Sequence, residues 1–81
     1  MIVQLRLFAA ARQAAGSETV HVELPAEATV ADLRTALVRQ VPALAAWRKH
    51  LMIAVDQQYA GDEHTLTEGA EVACFPPVSG G

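Results

Sequence analysis

Glu18-Thr19-Val20-His21-Val22-Glu23-Leu24-Pro25-Ala26-Glu27-Ala28-Thr29-Val30-Ala31-Asp32-Leu33-Arg34-Thr35-Ala36-Leu37-Val38-Arg39-Gln40-Val41 changes its hydrophobic period once, and that change decides the fold. Up to Leu24 the period is two. Val20, Val22 and Leu24 face one way and His21 and Glu23 the other, as in a strand with one covered face. Pro25 ends that strand. Thr29 to Asp32 has the form of a capping box, a hydroxyl residue three places before an acid. From there Val30, Leu33, Leu37, Val41 and Leu44 follow at steps of 3 or 4, which makes one apolar helix stripe. Pro42 predicts that the helix ends near Gln40 or Val41. Residues 43–48 are left for a short extra turn carrying Trp47.

Upstream, residues 2–8 alternate as IVQLRLF, with Val3, Leu5 and Leu7 on one face and Gln4 and Arg6 on the other. Ala9 to Ala15 favours helix on propensity, and Gly16 can stop it. Two alternating strands joined by a short connection predict an antiparallel pair with one face on a core. Downstream, Leu51-Met52-Ile53-Ala54-Val55 is a continuous apolar run suited to a central strand flanked on both edges. Asp56 to Asp62 reads as a turn or short edge hairpin, Leu66 as core, and Glu68-Gly69 as a tight turn. Glu71 to Phe75 is a final strand. The order is that of an α+β domain, a mixed sheet with the main helix across one face.

In the last strand Val72 and Cys74 share one face, and Ala73 and Phe75 the other. If Val72 enters the core, Phe75 points out. Pro76-Pro77 then stops the ladder and stiffens the chain that leads to Val78-Ser79-Gly80-Gly81. The expected organisation is one domain over residues 1–75 and a flexible tail over 76–81.

Composition narrows the classes of function. The chain has 81 residues, 52% of them hydrophobic, and a net charge of −3. Disorder needs the opposite balance, and a nucleic-acid partner is not expected without a basic excess. No apolar run approaches the ~20 residues of a membrane span, and no leader is expected from the alternating N-terminus. The one cysteine, Cys74, rules out an internal disulfide and any cysteine-cluster zinc site. These features fit a reducing, cytoplasmic setting.

Ordinary catalytic constellations are missing from the sequence. His21, His50 and His64 are scattered and lack zinc-binding spacing, so no metal is expected. Cys74 lies mid-strand and reads as a buried, inert thiol. The five glycines form no phosphate loop, and the loop acids lack a cleft. The remaining reactive group is the terminal carboxylate, which becomes an electrophile once adenylated. Two glycines without Cβ atoms pass a narrow channel and accept the backbone angles it imposes.

Phe75-Pro76-Pro77-Val78-Ser79-Gly80-Gly81 closely resembles the tail of the small, sulfur-carrying subunits of molybdopterin synthase. Leu66-Thr67-Glu68-Gly69-Ala70-Glu71-Val72 resembles that family's turn-and-strand segment. Phe8-Ala9, Arg12 and Gly16 resemble its F-A-x-x-R-x-x-x-G segment. The resemblance covers essentially the whole chain. One position departs: Asp56 stands where the family often has Asn, which bears on a local turn hydrogen bond.

The resemblance implies a ubiquitin-like β-grasp fold, with four to five strands and a main helix on one face. It also implies a mechanism with no active site and no bound cofactor in this chain. An ATP-dependent activating enzyme adenylates Gly81, and a sulfurtransferase system converts it to a thiocarboxylate. The tail then enters the large synthase subunit, where sulfur passes to cyclic pyranopterin monophosphate. By the same resemblance Gly81 carries sulfur and Gly80 supplies slimness. Pro76, Pro77, Val78 and Ser79 form the inserted stem. Phe8, Tyr59 and Phe75 are apolar contacts for the partners, and Arg12 is a basic one. For Phe8 and Tyr59 the competing reading is core packing. Two other functions stay open: a carrier for another pathway, such as thiamine thiazole synthesis, and a ubiquitin-like modifier joined to protein lysines.

Overall fold

Alternation along the first strand, β1 (Ile2–Leu7), is realised as strictly alternating exposed and buried residues. The computed structural model describes residues 1–77; Val78, Ser79, Gly80 and Gly81, which carry the sequence expectations about the tail tip, lie outside the described residues. After β1 come α1 (Ala9–Ala15), β2 (Thr19–Glu23), α2 (Val30–Gln40), a 3₁₀ helix (Pro42–Trp47), β3 (Met52–Val55), β4 (Gln58–Tyr59) and β5 (Val72–Phe75). Gly16 closes α1 in the left-handed region at φ 71, where its N–H reaches the carbonyls of Arg12 and Gln13.

The sheet order is β2-β1-β5-β3-β4. β1 pairs antiparallel with β2 and parallel with β5, and β5 pairs antiparallel with β3. This is the mixed sheet of the ubiquitin-like β-grasp. The 51–55 run does have a neighbour on each edge, but the last strand, not that run, holds the middle of the sheet. Alternation reports which face a residue takes and is silent about which strands are neighbours.

One face of the sheet meets α2. Leu5, Leu7, Val22, Ile53, Val72 and Cys74 are buried there together with Val30, Leu33 and Leu37 of the helix and Leu44 of the 3₁₀ turn. No polar or charged residue is buried among the described residues. The helix starts where the capping box places it. The Asp32 N–H donates to Thr29 Oγ1 at 3.3 Å, and the Thr29 N–H donates to Asp32 Oδ2 at 2.9 Å. The next orphan donors are met from a distant loop: the N–H groups of Val30 and Ala31 donate to the carbonyls of His64 and Asp62. Arg34 fixes the same loop through Asp62 Oδ1 at 2.7 Å. These bonds tie down the first part of the long 60–71 connection, and its far end is held where the Asp56 N–H donates to the Glu71 carbonyl at 2.8 Å, immediately before β5.

Candidate functional site

The other face of the sheet is uncovered, and its floor is made of small residues. The register aligns Arg6 with Ala73, Ala73 with Ala54, and Ala54 with Tyr59 across four strands. One step further along the sheet stand Phe8 and Phe75. The Phe8 N–H donates to the Cys74 carbonyl at 3.2 Å, which extends the β1–β5 pairing just past Leu7. Ala54 and Ala73 bring no bulk, so the aromatic rings rise around them as walls.

Those rings touch one another. Phe8 and Phe75 stack with centroids 4.8 Å apart and planes 11° apart. Tyr59 meets Phe75 edge-on at 6.1 Å and 74°. Both geometries lie in the favourable range for aromatic pairs, worth about 0.5–1.5 kcal/mol each beyond the area they bury. The Arg6 guanidinium sits 5.4 Å from the centre of the Phe8 ring, a cation–π distance. Together with Gln57 and Glu71 these residues line a shallow groove of about 390 Å³. It is an apolar trough with a cation at one rim and a carboxylate at another. Nothing in it is arranged for bond-making: it holds no histidine, no nucleophile and no metal cluster.

The structure therefore brings together three of the four contact residues expected from sequence. Tyr59 is 65% exposed, which removes the core-packing reading for it. Phe8 is half-buried, but against Phe75 on the open face rather than in the core. Arg12 does not join the groove. It is exposed in the last turn of α1, one turn beyond Phe8, where its charge also complements that helix end. Pro76 and Pro77 follow directly from the groove wall and are half-buried. Arg6, Ala54, Gln57, Glu71 and Ala73 were not singled out from sequence. The available signal was parity: Arg6 and Phe8 share a strand face, as do Ala73 and Phe75.

Cys74 lies outside this groove, on the other face of β5. It is fully buried on the helix-facing side, and burial pushes its thiol up to about 11, against a weaker downward pull from the Arg34 guanidinium. The departure at Asp56 is also resolved. Its Oδ1 accepts the Glu71 N–H at 3.0 Å, as an Asn side-chain oxygen would, so the turn bond is kept. No helix among the described residues is long and apolar enough to cross a membrane.

Residues 5–81 match the model of the ThiS family. The chain belongs to that family. Among related ThiS-like chains, the molybdopterin synthase sulfur carrier subunit of Caenorhabditis briggsae is 41% identical over 98% of this chain and 96% of its own. The small archaeal modifier protein 1 of Haloferax volcanii is 36% identical over 98% of this chain and all of its own length. The crystal structure of that modifier covers both chains fully, with a TM-score of 0.86 at 35% identity. A more distant chain, 22% identical with a TM-score of 0.67 and full coverage of both, shares the fold in the protein–protein complex of subunits 1 and 2 of the molybdopterin-converting factor from Helicobacter pylori.

Proposed function

We propose that this chain is the sulfur carrier of a molybdopterin synthase. In this reading the Gly81 carboxylate attacks the α-phosphorus of ATP in an activating enzyme. Pyrophosphate leaves and an acyl-adenylate forms. The terminal sulfur of a sulfurtransferase persulfide then attacks the acyl carbon and AMP leaves. A thiol cleaves the S–S bond of the resulting acyl disulfide, forming a disulfide with the sulfurtransferase's own sulfur and releasing the thiocarboxylate. In the large synthase subunit that sulfur passes to cyclic pyranopterin monophosphate, and water restores the carboxylate. The chemistry belongs to the partners' active sites. This chain supplies a docking face and a slim reactive end.

The carrying observation is continuity. Phe75 forms a wall of the aromatic groove and is followed at once by Pro76-Pro77. A protein seated on Phe8, Tyr59 and Phe75 thus meets the root of the tail. Residues 76–81, drawn out fully, reach about 20 Å, enough to cross a partner's surface and enter a buried site. Gly80 and Gly81 lack the Cβ atoms that would obstruct such a channel. Arg12, one turn from Phe8, extends the contact with a cation. The relatives named as sulfur carrier subunits support the same reading.

Deleting Gly81 tests it in a reconstituted synthase with purified large subunit. Sulfur transfer is lost and the fold, followed by circular dichroism, is unchanged, because a terminal residue contributes little stability. Full transfer by the truncated protein would overturn the proposal. The small archaeal modifier relative favours a second reading, conjugation of Gly81 to protein lysines. Both begin with adenylation and separate at the product, an isopeptide in one case and a thiocarboxylate in the other. Lys49 is the only lysine, so a chain of copies would branch at one side chain.

A further inference from the structure

The charges of this acidic chain are sorted. Four of its six cations, Arg34, Arg39, Arg48 and Lys49, fall between residues 34 and 49, and residues 33–55 contain no acid. The fold gathers this segment on the helix side of the molecule. Leu33 and Leu37 turn inward, so Thr35 and Arg39, four residues apart, occupy the opposite, solvent side of α2. The 3₁₀ helix then carries the chain back beside α2. There the Arg48 guanidinium donates to Thr35 Oγ1 at 2.7 Å, and the Arg48 carbonyl accepts from Arg34 at 2.9 Å.

These bonds give the cluster a shape. Arg34 is committed to Asp62 and serves as the support. Asp32 is committed to the helix cap. Arg48 is held by its hydroxyl partner one turn from Arg39, and Lys49 follows it, all three exposed. Among the described residues no carboxylate pairs with any of the three. The fixed fork of a guanidinium suits carboxylates, and fixing it in advance reduces the entropy lost on binding.

We propose that this face is a docking site for an acidic segment of a partner protein. Carboxylates fit better than a nucleic acid for two reasons. The rest of the chain holds nine acids against two cations, Arg6 and Arg12, and would repel a polyanion larger than the patch. The patch also offers no exposed aromatic platform for bases, since Trp47 is half-buried against the core. The patch and the aromatic groove lie on opposite faces of the sheet–helix sandwich. An acidic partner can therefore stay bound while the groove is occupied, and the proposal stands whichever product Gly81 forms.

The test is an NMR titration of the labelled full chain with an oligoglutamate peptide, and separately with a short DNA duplex. The peptide shifts signals of residues 34–50 and leaves Phe8, Tyr59 and Phe75 unmoved, with an affinity that falls as salt rises. The double variant Arg39→Glu/Lys49→Glu, altered only at exposed positions, keeps the native spectrum and binds about tenfold more weakly or worse. Arg48→Lys, which keeps the charge and loses the fork, binds severalfold more weakly. Peptide shifts on the groove face, unchanged binding by the double variant, or tighter binding of the duplex than of the peptide would each overturn the proposal.

Discussion

Asp56 and Gln57 both occupy the left-handed region, at φ 50 and 72, and form the two-residue turn between β3 and β4. Hairpins of this kind prefer Asn-Gly or Asp-Gly. Gln57 is thus the strained member, and Gln57→Gly raises stability by about 0.5–1 kcal/mol in urea unfolding, since glycine takes that angle freely. Asp56 adds its carboxylate bond to Glu71, so Asp56→Ala loses both angle and bond and costs about 1–2 kcal/mol. The expected turn or short edge hairpin is realised with β4 at the sheet edge, but its two-residue length was not legible, because Asp-Gln does not announce so tight a turn. Cys74 was legible as inert from its parity with Val72. Its raised pKa has a defined consequence. The unfolded thiol ionises near 9.0 and the folded one near 11, so stability is intact below pH 9 and falls as pH rises between those values. Unfolding curves across that range fall more steeply for the native chain than for Cys74→Ala, which starts less stable but lacks the thiol.

At the scale of elements, α2 was the most legible part, since its cap, stripe and proline stop agree with one another. Thr29→Ala removes the acceptor for the Asp32 N–H and costs about 1 kcal/mol in the same assay. Leu37→Ala empties a fully buried site beneath the sheet and costs about 2–5 kcal/mol. The anchoring of the helix start by the 62–64 carbonyls was not legible, because backbone partners far apart in sequence leave no residue signature. The same holds for the Phe8–Phe75 stack. Each ring's face follows from alternation, but their meeting depends on the parallel β1–β5 register, which pairs Leu7 with Cys74 across most of the chain. Arg6 escaped notice for the same reason, since an exposed strand arginine looks solvated until the ring beneath it is known.

For the whole molecule, the sheet has one covered face and one open one, and the open face ends at the root of the tail. In the proposed function this open face and the tail that leaves it act together, the face as the seat for a partner and the tail as the part presented to it. Phe75 lies at the centre of that arrangement, touching both other rings. Under the proposed function, Phe75→Ala weakens association with a large synthase subunit by about 1–3 kcal/mol in calorimetry, the range of a moderate hot spot. Unchanged affinity would remove Phe75 from the interface. The proposed sulfur-carrier chemistry rests on the tail's resemblance and on the named relatives, because a carboxylate's reactivity depends on the enzyme that activates it and leaves no signature in the chain's own residues. The most direct test is the intact mass of the chain after incubation with ATP, the activating enzyme and a sulfur source. A sulfur carrier gains the mass difference between one sulfur and one oxygen, located at Gly81. An unchanged mass, or an isopeptide-linked adduct as the only product, would contradict it.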